Sequence, residues 1–228
     1  MNEEEWLACE DTQRLMEYLG WFLRGAQRRE RKELLCEVAC WRRIFPLIKQ
    51  FGRTAVEQYE RMADGLVSED EVEAARAAAI TACEQGAENA SCQAVLNLEA
   101  AREAVGCEAV RCVRPPAFDP DDPAQSQIDN AAFRRACADE NAAQCVIFRE
   151  IFGNPFQPVS FDPTWRTSDA LLLAQGIYEE RAFDGMPILV DALQDAGCDS
   201  ADILNHLRDV GATHVRGCWA LDLVLGKE

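Results

Sequence analysis

The sequence predicts an all-α protein: an irregular multi-helix bundle with an alanine-rich helical hairpin and a Pro-rich extended strap, and no significant β-sheet. Three observations predict it. Apolar residues recur at three- and four-residue spacing in successive segments, the period of a helix with one buried face. The segments are punctuated by residues that cap or break helices, among them Ser68, Gly153 and Pro46. No segment shows period-two alternation over a full strand, and no hairpin turn is flanked by it.

Taken in order, Asp11 caps a helix with Leu15, Tyr18, Leu19 and Phe22 on one face, and Gly25 offers its stop. The next starts near Arg28 and carries Leu34, Leu35, Val38, Trp41 and Phe45 until Pro46 interrupts it. A third, from about Thr54 to Ala63, ends at Gly65. Ser68-Glu69-Asp70-Glu71 is a capping box, in which the serine accepts from a backbone N–H three residues on while Glu71 reaches back. The alanine-rich stretch that follows runs to Gly86, and residues 90–105 repeat its composition, so 66–106 predicts an antiparallel helical hairpin.

Residues 114–126, RPPAFDPDDPAQS, hold four prolines and three aspartates, which neither a helix nor a central strand accepts. They read as a linker between an N-terminal helical region, 1–113, and a C-terminal one, 127–228, or as a crossing within one compact domain. The helix after it, Gln127 to Phe152, places Ile128, Ala132, Ala136, Ala143, Val146, Ile147 and Ile151 on its buried side and stops at Gly153-Asn154-Pro155. The strap PFQPVSFDPTW brings Phe156, Phe161 and Trp165 across the core. Short helices complete the chain. Thr167, Ser168 or Asp169 caps one that continues to about Arg181, and Pro187 suits the start of the next, which Gly197 closes. Asp199 or Ser200 caps Ala201 to Arg208, and the last helix carries Trp219, Leu221, Leu223 and Val224.

Several classes are disfavoured by composition. The longest apolar runs, such as Ala170 to Ala174, fall far short of the roughly 20 residues that cross a bilayer, so no membrane association is expected. The acidic start MNEEEW is unlike a secretory signal, and the expected location is cytoplasmic. Eleven cysteines is an odd number, and several sit in helix-like stretches, so most read as reduced, buried thiols. A net charge of −17 opposes nucleic-acid binding by the molecule as a whole. The charge is uneven, however: Arg24 to Arg61 holds ten Lys or Arg against five Asp or Glu, leaving −22 elsewhere.

The stretches EEEWLACEDTQRLMEYL, CWRRIF, FREIFGNPFQPV, LAQGIYEERAFDGMPILVDALQDAGCDSADILNHLR and HVRGCWALDLVLGKE resemble a large paralogous family of bacterial, chiefly planctomycete, proteins of unknown function. The resemblance covers roughly residues 1–65 and 140–228. It implies kinship and no particular activity. The family it resembles includes members with cysteine directly after the first histidine of the closing motif, where this chain has Leu207.

That closing motif, NHLRDVGATHVRGCW, holds both histidines, His206 and His214, together with Cys218. All three are ligand types that zinc accepts, but a structural site normally takes four. The missing ligand is sought among Cys36, Cys40, Cys145 and Cys198, since helix packing can bring distant thiols together. The competing reading is a helix junction, with each histidine bonded to a backbone carbonyl and Cys218 packed beside Trp219. Cys36 and Cys40 share one helix face without the spacing of a redox motif and read as core. No nucleophile elbow, phosphate loop or dinucleotide fingerprint is present.

The expectation is a non-enzymatic, cytoplasmic helical module that needs no cofactor and binds another protein, or a second copy of itself. Its contact candidates are Trp41, Arg42, Arg43, Phe156, Phe161 and Trp165. The alternative is a zinc- or thiol-dependent module, a structural metal site or redox sensor, centred on His206, His214 and Cys218.

Overall fold

The computed structural model describes residues 1–22, 29–84 and 123–227. Among these residues all regular structure is helical, and no strand is present. The predicted stops at Gly25 and Gly86, the helix at 90–105 and residues 114–122 of the linker lie outside the described residues.

The chain divides into two compact units: unit 1 is Met1–Cys9, Arg14–Arg28 and Val146–Glu228, and unit 2 is Glu10–Gln13 and Arg29–Cys145. The N-terminal residues thus belong with the C-terminal third, and the division falls between Cys145 and Val146 rather than at 114–126.

In unit 2, α3 (Arg29–Arg43) packs on α4 (Gln50–Ala63), which packs on α5 (Glu69–Glu84). Pro46 ends α3 in a 3-10 turn, Phe45–Leu47. The core gathers Val38, Trp41, Ile44, Ile48, Ala55, Val56 and Ala79, the apolar positions of three amphipathic faces. Ser68 caps α5 as expected: Glu71 N–H donates to Ser68 Oγ at 3.3 Å, and Ser68 N–H donates to Glu71 Oε2 at 2.9 Å. Ser68→Ala is expected to cost unit 2 about 1 kcal/mol, the usual loss of an N-cap, read as a lowered urea midpoint.

α6 (Pro123–Phe152) begins four residues earlier than the sequence suggests, because Pro123 suits the first helical position, where no N–H is needed. Its last two turns belong to unit 1. There Val146, expected on the buried side, is 41% exposed, while Ile147 and Ile151 are fully buried. Gly153 stops the helix at φ 70°, its N–H donating to the Arg149 carbonyl at 2.9 Å.

The rest of unit 1 is α7 (Ser168–Glu180), α8 (Met186–Asp195), α9 (Ala201–Arg208) and α10 (Trp219–Leu225). Thr167 is the residue that caps α7, its Oγ1 accepting from Ala170 N–H at 3.3 Å. Leu189, Leu193, Ile203, Leu207, Leu221 and Val224 form the centre of the core, each fully buried. The strap is irregular apart from one 3-10 turn, Pro163–Trp165. Just after that turn, Arg166 donates to the carbonyls of Leu223 and Val224 at 2.8 and 2.7 Å, satisfying groups that α10 leaves open at its end. Two further elements come from the N-terminus: α1 (Glu3–Ala8), closed by an Asn2–Glu5 capping box, and α2 (Thr12–Phe22), most of which lies in unit 1.

Candidate metal centre

Four side chains converge in unit 1. Glu150 projects from the last turn of α6, His206 from the last turn of α9, His214 from the loop after it, and Cys218 stands at the N-cap of α10. One donor atom from each lies within 4.8 Å of all the others. The loop that carries His214 is folded locally: Gly211 N–H donates to Asp209 Oδ1 and Ala212 N–H to the Asp209 carbonyl, both at 3.0 Å. Gly217, at φ 87°, turns the chain into the Cys218 cap.

His206 Nε2 lies 3.3 Å from Cys218 Sγ and 3.3 Å from Glu150 Oε2. The other carboxylate oxygen, Glu150 Oε1, is 2.9 Å from His214 Nδ1. The second nitrogen of His214 lies 3.2 Å from the Asp209 carbonyl. When protonated, His214 donates from both nitrogens, to Glu150 and to the Asp209 carbonyl; when neutral with the proton on Nε2, it keeps the carbonyl bond and turns the Nδ1 lone pair inward, the arrangement of a ligating histidine. The His206 ring is flanked by Trp219 at 4.8 Å and His214 at 5.2 Å between centroids.

The site is closed. Cys218 is fully buried, the side chains of Glu150 and His214 are about 5% exposed, and only His206 keeps an edge to solvent at 19%. Burial pushes the Glu150 carboxyl up, but hydrogen bonds from His206 and His214 outweigh it and hold the group below its ordinary value. Burial pulls His214 down, and its hydrogen bond to Glu150 and that carboxylate's charge overcome this, leaving it raised. For Cys218, burial and then the Glu150 charge push the thiol well above its ordinary value, against a smaller pull from the Leu221 and Ala220 backbone.

These facts bear on the chemistry the cluster can do. A nucleophilic cysteine needs a depressed pKa, access to substrate and a histidine that meets the thiol with one nitrogen and an orienting acid with the other. Here the thiol is raised and buried, and both Cys218 and Glu150 address the same nitrogen of His206. Four donor atoms gathered within 4.8 Å, once deprotonated, suit a cation. Zinc bonds of about 2.0–2.3 Å give a tetrahedron with edges of about 3.3–3.8 Å; the two 3.3 Å contacts of His206 Nε2 match an edge, while the donor set as a whole spans up to 4.8 Å and would draw in around an ion. Thiolate and carboxylate together carry the two negative charges that neutralise a divalent ion in a buried site, and two imidazoles with one thiolate favour a borderline metal over calcium or magnesium.

The expected trio His206, His214 and Cys218 is therefore brought together, but its fourth member is a carboxylate. Cys198 is buried in the unit 1 core, and Cys36, Cys40 and Cys145 belong to unit 2. The contact candidates fare unevenly. Trp41 is 1% exposed, with its ring against Tyr59, and presents no contact surface, because its i, i+3 spacing from Val38 and Ile44 puts it on the buried face. Arg42 pairs with Glu60 at 2.7 Å and lies over the Phe45 ring, and Arg43 grips both oxygens of buried Glu140. Phe156 stacks on Tyr18, whereas Phe161 and Trp165 meet edge-on and pack against the unit 1 core. Compared with known proteins, the chain matches no family model, no curated protein and no solved structure.

Proposed function

We propose that unit 1 is a metal-stapled structural module whose centre takes one zinc ion through Glu150, His206, His214 and Cys218. The observation that carries this reading is the convergence of carboxylate, thiol and imidazole donors within 4.8 Å in a closed, core-lined setting. Four protein ligands complete a tetrahedron and leave no position for substrate, which favours a structural over a catalytic ion. Elemental analysis of the native protein tests it: one zinc per chain is expected, and a metal-free protein that takes up neither zinc nor cobalt would refute it. Substituted cobalt should show the sulfur-to-metal absorption that only a Cys218 bond supplies.

Metal affinity should rise with pH. The raised Cys218 thiol carries a proton that the ion must displace, so log affinity climbs by about one per pH unit where His214 is neutral. Below the raised pKa of His214 a second proton must leave, and the slope approaches about two. Chelator competition between about pH 5.5 and about pH 8.5 measures both limbs; a flat profile would contradict the ligand set.

A non-enzymatic protein-binding role is compatible with such a module. The supporting observation is that Leu172, Ile188 and Val210 of unit 1 are 71%, 60% and 82% exposed. Leu172→Asp should then weaken a complex isolated with the wild-type chain without lowering thermal stability.

A further inference from the structure

The segment around Glu150 has a second set of partners. Next to the metal-centre carboxylate on the same helical turn, Arg149 donates to the carbonyls of Trp6 and Cys9 at 3.2 and 2.9 Å, the open carbonyl end of α1. Asn154 and Gln157, just beyond the helix stop, each donate to Glu3 Oε1 at 2.6 Å. Phe156 stacks on Tyr18 with centroids 5.6 Å apart, and Tyr18 in turn meets the fully buried Trp6 at 5.9 Å. On the centre's side, Gly153 leaves room for Trp219, whose Cγ would lie 3.3 Å from a Cβ at that position. One stretch, residues 149–157, therefore serves both the metal centre and the docked N-terminal helix.

From this shared stretch we infer that zinc binding and docking of the N-terminal segment, Met1–Cys9, are linked, so that the ion acts as a latch on that segment; this rests on the zinc reading above. The ion ties the last turn of α6 to α9 and α10 through Glu150. Releasing it removes one tether from that turn, which Ile151 still buries, so that the turn opens more often and Arg149 moves with it. α1 has only six residues and cannot hold a helix by itself in water, so its structure depends on the docking contacts. Linkage is reciprocal: whatever factor zinc adds to docking, docking adds to zinc affinity.

The test is hydrogen exchange on the full chain, zinc-loaded and after chelation, with metal content measured in both samples. Chelation is expected to speed exchange in α1 at least about tenfold more than in α7 and α8, which report the loss of overall stability alone. Reciprocally, Arg149→Gln and Asn154→Ala should each lower zinc affinity several-fold although neither residue is a ligand. If one zinc is bound and exchange in α1 is indifferent to it, the latch is overturned and the zinc centre stands. Equal acceleration throughout unit 1 also overturns the latch, because the ion would then staple the whole unit. A chain that binds no zinc at the outset sinks both.

Discussion

His214→Ala is expected to leave the purified chain without stoichiometric zinc. The substitution removes one of four ligands and strips the buried Glu150 carboxylate of its closest partner, the 2.9 Å contact with Nδ1. The loss of affinity should exceed the roughly 10–100-fold that removing an outer partner of a metal ligand costs. Glu150→Gln keeps the shape, removes one negative charge and should lower affinity in the same direction. Cys198→Ala should retain full metal, since that thiol lies in the core outside the cluster. The effect on stability follows by mass action. Zinc present at about 100 times its dissociation constant adds about 2.7 kcal/mol, so wild type should melt about 5–10 °C above its chelated form, and His214→Ala should show no such gap. Metal analysis and paired melting curves read both quantities; full occupancy in His214→Ala would remove this histidine from the site.

Trp41→Ala is expected to cost unit 2 about 3–5 kcal/mol, the range for deleting a large, fully buried aromatic side chain. The residue is 1% exposed and packs among Val38, Ile44, Ile48 and Val56. Trp41→Phe should cost much less, because it keeps most of the ring volume and deletes an indole N–H that is buried without an acceptor. Urea unfolding of the two variants measures the difference. A surface role for Trp41 would instead leave both midpoints at the wild-type value.

Local chemistry made most of the fold legible. Ser68, Thr167, Gly153 and Gly197 act at the ends where their residue types place them, because capping and left-handed turns depend on a few neighbouring atoms. The first helix is not legible from periodicity although Asn2 and Glu5 form the same kind of box as Ser68 and Glu71, since six residues show too few repeats of an apolar face. The proposed metal centre is half legible in the sequence. His206, His214 and Cys218 lie within one short motif, whereas Glu150 precedes His206 by 56 positions and is one of 40 acidic residues. A usable signal existed: Glu150 stands three residues after Ile147 and one before Ile151, a carboxylate among the buried positions of α6. A charge held there needs a partner, and an imidazole supplies one where a cysteine does not.

The ring of Trp219 beside His206 has a practical consequence. An indole 4.8 Å from an imidazole of the proposed ligand set is a built-in fluorophore at its edge. Paramagnetic cobalt or copper seated there should quench its emission strongly, and zinc, with its filled d shell, should not. Exchanging one ion for the other would turn occupancy into light intensity, and Trp219→Phe would darken that signal while the other indoles continued to shine.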